Sequence, residues 1–329
     1  MEGEYTKHLN SIEVKNLTKK FGKFISVNNI SFDVEEGEVF GFLGANGAGK
    51  STTIKMLCGI LEPTSGDAVV GGFSITKQPE MVKRNIGYMS QKFSLYNDLT
   101  VEENINFFGG VYGLRNHILK SRKEWVLEIA NLKGKEKMLT DSLAVGFKQR
   151  LALGCAVIHE PKIVFLDEPT GGVDPVSRRN FWNLINTLSR QGVTVFVTTH
   201  YLDEAEFCNR IMMINEGKLI AGGSPAELKK KYLSNTILEI ECDDVDKAIE
   251  LLDATDFIKS SAFFGTYVHA TLKNNVNNNE NYDKETIEQI KKLLSEDNKL
   301  IISRIDKILP SLEDVFVNLL ENTGAGNDK

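Results

Sequence analysis

No stretch of this 329-residue sequence approaches the ~18 consecutive apolar residues that would carry a chain across a bilayer. The best candidates, residues 163–166 and 193–197, are short and β-rich, and the polar opening MEGEYTKHLNS lacks an apolar export segment. Cysteine is scarce: Cys58, Cys155, Cys208 and Cys242 stand far apart, with no C-x-x-C pair and no histidine at metal-ligand spacing. That excludes a disulfide framework or a zinc ribbon and reads all four as small core hydrophobes in a reducing compartment. Positive charge is not in excess either. With 39 Lys and Arg against 45 Asp and Glu the net charge is −6, and the basic residues are dispersed, so nucleic acid is not an expected partner. These absences describe a soluble cytoplasmic protein, any membrane role of which runs through a partner.

What is present is a globular composition at a length that predicts two domains, one with a substantial core. Residues 11 to about 76 alternate short β-rich runs with turns. From 101 to about 159 the pattern turns helical: TVEE at 100–103 reads as a capping box, and residues 104–112 and 122–132 carry apolar side chains at helical spacing. Two nearly continuous apolar runs, 162–166 and 193–197, flank a helical pattern at 175–191 and suit strands buried on both faces. Near Tyr232 the texture changes. Beyond it come a strand, a helix, a hairpin across Gly265, a helix and a strand, which is the βαββαβ, ferredoxin-like order, closed by an amphipathic helix over 311–320. The expected division is an α/β domain at 11–230, with a helical subdomain at about 92–160, and an α+β accessory domain at 236–329. The asparagine-rich tract 274–281 reads as a solvated loop.

The chemistry is carried by GANGAGKST at residues 44–52, set between an apolar strand-like run, EVFGFL, and a helical one, TIKML. That context identifies a P-loop. Gly44, Gly47 and Gly49 let the backbone curl so that its amides and a helix N-terminus face an anion, with Asn46, Ala48 and Thr52 completing the cradle. Lys50 can bridge β- and γ-phosphates, and Ser51 can ligate Mg²⁺. A P-loop alone does not choose among kinase, GTPase and ATPase. Residues 163–168, IVFLDE, form an apolar strand ending in two carboxylates, the Walker B pattern: Asp167 is placed to hold the Mg²⁺ shell beside Ser51, and Glu168 to polarise an attacking water. No Asn-Lys-x-Asp segment is present, which argues against guanine recognition.

Over residues 12 to about 230 the sequence resembles the ATP-binding subunits of ABC transporters. EPTGGVDP at 168–175 is similar to that family's passage from Walker B to D-loop, with Asp174 in the D-loop. The resemblance implies that Gln91, after IGYMS at 86–90, touches Mg²⁺ and the attacking water. It implies that His200, in TTH at 198–200, contacts the γ-phosphate, and that Phe21, in KFG at 20–22, stacks on adenine with Phe24 as a competitor. The implied fold is a P-loop NTPase, RecA-like α/β core; the implied cofactors are ATP and Mg²⁺. Partners implied are an integral-membrane permease and a second ATPase subunit, a homodimer being the simpler case, at the cytoplasmic face of the membrane.

One segment departs from the family. Where it has Leu-Ser-Gly-Gly-Gln, this chain reads LAVGFKQR at 143–150, so that Ala144 replaces the serine, Val145 the first glycine and Phe147 the glutamine, while Gly146 remains. In the family this segment caps the γ-phosphate held by the opposite subunit. Loss of the hydroxyl removes one hydrogen bond to a charged group, about 1.5–3 kcal/mol, so hydrolysis is expected to be weakened but to survive. The substituted signature, GSPAEL at 223–228 and PSLEDVF at 310–316 are similar to the type-2 exporter branch. Phe93, Leu95 and Tyr96 are candidates for the groove that meets a permease. The rival expectations are a non-transport ABC ATPase and a nucleotide-gated clamp with little hydrolysis. The C-terminal module carries no catalytic constellation and reads as regulatory or dimer-supporting.

Overall fold

Alternating apolar and polar residues build the first two strands. β1 (Asn10–Phe21) and β2 (Phe24–Glu35) pair antiparallel across a turn at Gly22, whose φ of +59° suits a residue without a side chain. β3 (Val39–Leu43) leaves this hairpin for a second sheet and runs into α1 (Lys50–Leu57). The chain then returns through β4 (Ser65–Val70) and β5 (Phe73–Ser74), so the first sheet has the order β2-β1-β4-β5. In this computed structural model the described residues are 10–91, 95–232, 235–273 and 280–324, and the chain divides into two units, residues 1–225 and 226–329.

The second sheet of the first unit holds the apolar runs. After α2 (Pro79–Asn85) come β6 (Ile86–Met89) and, past the helical segment, β7 (Ile163–Asp167), β8 (Thr194–Thr199), β9 (Arg210–Asn215) and β10 (Lys218–Gly223). Their order is β10-β9-β3-β8-β7-β6, parallel throughout except for the β9–β10 hairpin. Every residue of β3, β7 and β8 is buried, as strands covered on both faces must be. Phe32 of β2 reaches across to Phe40, Phe42 and Phe196 with ring centroids 5.6–6.1 Å apart, and this aromatic cluster joins the two sheets. Each such pair adds about 0.5–1.5 kcal/mol beyond the area it buries. At the sheet's other end Arg210 donates from Nε and Nη2 to the two oxygens of Glu38, at 2.6 and 2.9 Å, which pins the start of β9 to the turn before β3.

The helical segment is α3 (Val101–Val111), α4 (Asn116–Ile129) and α5 (Val145–Ala156), followed after β7 by α6 (Pro175–Arg190). The capping box at Thr100 forms: the Glu103 amide donates to Thr100 Oγ1 at 3.3 Å and the Thr100 amide to Glu103 Oε2 at 2.8 Å. α4 begins six residues before the periodic stretch that announces it; its first turn is largely exposed, Ile118 included at 49%. It packs close to α5, where a Cβ on Gly154 would lie 2.5 Å from Val126 Cγ1. Arg122 of α4 donates to the carbonyls of Val157 and Ile158, closing the C-terminal end of α5. Cys58, Cys155 and Cys208 are core residues as expected; Cys242 is only half-buried. Among the described residues no helix is long and apolar enough to cross a membrane.

α7 (Pro225–Tyr232) begins at the unit boundary. The second unit then follows β11 (Ile237–Cys242), α8 (Val245–Asp253), β12 (Ile258–Phe264), β13 (Tyr267–Leu272), α9 (Glu280–Lys291) with a π-helical turn at Lys292–Asp297, β14 (Ile302–Ile308) and α10 (Leu312–Gly324). Its sheet order, β12-β13-β11-β14, is antiparallel at every step, which is the order that βαββαβ connectivity implies. The last strand starts at Ile302, although the strand-like sequence pattern spans 299–305, because Lys299 takes φ +61° and Leu300 is buried in the unit's core. Its core is its own, built from residues such as Leu238, Ile240, Leu252, Val268 and Leu294. Most of the asparagine-rich tract, 274–279, lies outside the described residues.

Candidate nucleotide-binding site

Four parallel strands deliver the polar residues to one rim, at the carboxyl ends of the sheet, where open α/β sheets bind ligands. β3 ends in the glycine loop, β6 leads to Gln91, β7 ends at Asp167 with Glu168 next, and β8 leads to His200.

The three loop glycines have different reasons to be there. Gly47 and Gly49 take φ of +83° and +109°, the left-handed backbone that curls the loop. Gly44 does not. Its place is fixed by close approach, since a Cβ there would stand 2.3 Å from the carbonyl oxygen of Ile214, so backbone curling is not its role. Ala48 is buried, and its carbonyl accepts from the Gly217 amide at 3.0 Å, tying the loop to the β9–β10 turn. Lys50 folds back into the loop it follows, donating to the carbonyls of Gly44 at 2.8 Å and Ala45 at 3.2 Å.

The carboxylates are shared out. Asp167, 2% exposed, accepts at Oδ1 from Ser51 Oγ at 3.0 Å and Thr198 Oγ1 at 2.8 Å. Glu168 lies 3.1 Å from Lys50 Nζ through Oε1; its Oε2 accepts from Gln91 Nε2 at 3.0 Å and stands 3.2 Å from His200 Nδ1. Glu168 also takes φ +47°, an uncommon backbone for a branched-free but bulky side chain, held by its amide donating to the carbonyl and Oγ1 of Thr198. Beneath the loop, burial and the Asp167 charge push the Cys58 thiol well above its ordinary pKa, so it stays neutral.

A cavity of about 500 Å³ opens over these groups. Asn46, Gly47, Gly49, Lys50, Ser51 and Thr52 form its floor, Gln91 and Glu168 one wall, and Phe21, Phe24 and Ser26 the other. Phe21 and Phe24 are 50% and 62% exposed, as aromatic faces awaiting a planar partner would be. Ala144, Gly146 and Asp174 do not line it. Asp174 caps α6, accepting from the Ser177 amide at 2.9 Å, and the hydrogen bonds from Ser177 hold its carboxyl below the usual range. Gly146 sits in the first turn of α5, where a Cβ would be 2.6 Å from Ser177 Cβ, so α5 and α6 touch at their N-termini only because position 146 is bare. The Phe147 ring lies between Lys135 Nζ at 5.1 Å and the Arg150 guanidinium at 4.4 Å. Of the proposed groove residues, Leu95 is core, Tyr96 is 45% exposed against Phe107, and Phe93 lies outside the described residues.

Ser51, Asp167 and Gln91 offer hard oxygen donors, and among the described residues no cationic side chain pairs with Asp167 and no cluster of three or more metal-ligating side chains occurs. Such a set suits a cation that keeps most of its waters and takes the rest of its shell from a polyphosphate, as Mg²⁺ does.

Sequence reasoning missed Thr198, which binds both Walker B residues; its position at the end of an apolar strand facing Asp167 was the available signal. It also missed Gln149, buried on α5 beside a 220 Å³ cavity bordered by Glu168 and Gln91, and Glu204, fully buried behind His200. Gln149 lies within the 143–150 segment, at a position to which the resemblance assigned no role, and Glu204 belongs to no motif that spacing reveals.

A family model described as ABC transporter matches residues 27–171. The probable multidrug ABC transporter ATP-binding protein YbhF of Escherichia coli (strain K12) is 55% identical over 218 residues, covering 66% of this chain; the match spans only 38% of that relative's length. The bacitracin transport ATP-binding protein BcrA of Bacillus licheniformis is 33% identical over 316 residues, 94% of this chain and 97% of that one. Among solved structures, an ATP-binding subunit of an ABC transporter superposes with TM-score 0.61 at 29% identity, over 67% of this chain and 92% of its own.

Proposed function

The chain belongs to the ABC transporter family of ATP-binding proteins, and from that membership we propose that it binds and hydrolyses ATP to power an exporter whose membrane-spanning permease is a separate subunit. The observation that carries the reading is the convergence of Lys50, Gln91 and His200 on Glu168, with all three within 3.2 Å, at the edge of a cavity floored by the P-loop.

ATP enters with its triphosphate against the amides of residues 46–52 and adenine against Phe21, Phe24 being its neighbour on the same wall. Lys50 turns from its loop carbonyls to the β- and γ-phosphates. Ser51 and Asp167 would hold Mg²⁺, with Gln91 at its edge; bound there, the ion screens phosphate charge and orients the γ-phosphoryl group. Glu168 accepts the proton of the attacking water, Gln91 orients that water, and His200 donates to the γ-phosphate oxygens. A second copy completes the site: the α5 N-terminus, with Ala144 and Gly146, caps the γ-phosphate bound by its partner, and Asp174 meets the partner across the same interface. Cleavage severs the γ-phosphate from ADP, its departure removes the anion that joined the copies and they part, which the helical segment passes to the permease at the cytoplasmic face of the membrane.

The test is ATP turnover by the purified chain together with its permease. Glu168→Gln is expected to lower kcat by about 10²–10⁴-fold, the usual worth of a general base, while ATP binding persists. Turnover no greater than that of Glu168→Gln would reduce the protein to a nucleotide-gated clamp.

A further inference from the structure

Glu204 heads a short 3-10 turn, Glu204–Phe207, and is 0% exposed. A carboxylate so placed needs partners, and its partners come from three other elements. Thr170, two residues past Glu168, donates its hydroxyl to Oε1 at 2.5 Å. Thr199, the residue before His200, donates to Oε2 at 2.8 Å. Arg178 of α6 brings Nε to 3.3 Å from Oε1. Burial raises the Glu204 pKa against the lowering effect of both hydroxyls and the Arg178 charge.

The same contacts reach the loop that carries His200. The Tyr201 amide donates to Thr199 Oγ1 at 2.9 Å, the Arg178 guanidinium lies 4.5 Å from the centre of the Tyr201 ring, and the His200 and Tyr201 rings are 4.1 Å apart. Glu204 thus joins the turn that follows the water-polarising carboxylate to the segment that presents the histidine, and joins both to the helix that Asp174 caps and whose first turn touches Gly146.

We propose that Glu204 is a positioning residue for the hydrolysis reaction, one that holds His200 against Glu168 and makes that spacing answer to displacement of α6. It touches neither nucleotide nor water; it acts through Thr199, Thr170 and Arg178. This inference rests on the reading of the site as an ATPase.

The test compares full-chain Glu204→Gln with wild type, alongside Glu168→Gln and His200→Ala as controls. Glu204→Gln keeps the shape but removes the negative charge beside Arg178 and replaces one of the two oxygens, each of which accepts from a threonine hydroxyl, with an NH2 group that cannot accept. The expected result is a fall in kcat of about ten- to hundredfold with the KM for ATP changed less than about twofold, since misplacement of catalytic groups acts on the reacting geometry more than on binding. The His200 imidazole resonance, assigned through His200→Ala, should shift in the same variant. Should the buried substitution prevent folding, Thr199→Val removes the contact nearest His200 while leaving the carboxylate in place, and the same kcat loss and resonance shift are expected. Wild-type kcat and an unmoved His200 resonance in folded Glu204→Gln or Thr199→Val, with both controls inactive, would overturn the positioning role and leave the ATPase reading standing. Wild-type turnover by Glu168→Gln would overturn both.

Discussion

Lys50 shows how much of a site one side chain can organise. Its ammonium meets two loop carbonyls and a carboxylate, and its side chain is 3% exposed, so a neutral replacement removes a counter-charge as well as a phosphate contact. Lys50→Met should weaken ATP binding by at least about tenfold, measured by calorimetric titration, as loss of one charge-assisted contact implies. The residue scale is also where the sequence was most informative. The spacing of Lys50, Ser51, Asp167 and Glu168 is dictated by covalent geometry within the loop and the strand, so motif and structure coincide. Thr198 escaped because its role depends on β7 and β8 lying side by side, at which its place at the end of an apolar strand only hints, and Glu204 because its partners come from segments separate in sequence.

Between elements, the contact of α5 with α6 is set by a missing methyl group. Gly146→Ala would press its Cβ onto Ser177, at an expected cost of about 1–3 kcal/mol from overpacking. Adding Ser177→Gly should return part of that loss, and denaturant unfolding of both single variants and the double variant would give the coupling. The sequence showed Gly146 as the survivor of a substituted signature; that it also serves packing could be seen only with α6 in place.

In the second unit, α10 is fastened to the sheet by His269, whose Nδ1 lies 2.8 Å from Asp314 and Nε2 3.4 Å from Glu239, with the ring stacked on Phe264 at 3.8 Å. Burial alone would lower the histidine pKa, but the hydrogen bond and charge of Asp314, then those of Glu239, raise it; Arg304 of β14 also pairs with Glu239. Asp314 in turn is held below its ordinary value despite burial, by His269 and Ser311. The raised histidine stabilises the fold fully below its unfolded pKa and loses this as pH rises through the folded value. The lowered Asp314 stabilises above its unfolded pKa and loses this as pH falls through the folded one. Protection of the α10 amides, the exchange rate divided into that of the unfolded chain at the same pH, should therefore be greatest between about pH 4 and 6.5 and fall on either side. His269→Ala should flatten the alkaline limb.

At the scale of the molecule, each unit has a core made from its own residues. Two thermal transitions are expected, with magnesium ATP at about 100 times its Kd adding about 2.7 kcal/mol to the one that carries the P-loop. For a unit of that size this is about 5–10 °C by scanning calorimetry. Phe196→Ala should lower the same transition by about 3–5 kcal/mol, since Phe196 meets Phe32, Phe40, Phe42 and Phe165. In the first unit the buried strands were legible as apolar runs but their order in the sheet was not, while in the second the hairpin at Gly265 and the βαββαβ succession imply the order observed. Element ends were not legible, as at α4, whose first turn leaves Ile118 exposed, and at β14, where a left-handed Lys299 delays the strand.

The pairing of Lys50 with Glu168 has one more consequence. On the proposed reading a single ammonium faces two anions, the Glu168 carboxylate at 3.1 Å and the triphosphate of ATP, and cannot neutralise both at once. A polyphosphate therefore competes for Lys50 and loosens its hold on the carboxylate where a scissile bond is present. The substrate itself frees the group that will help to destroy it.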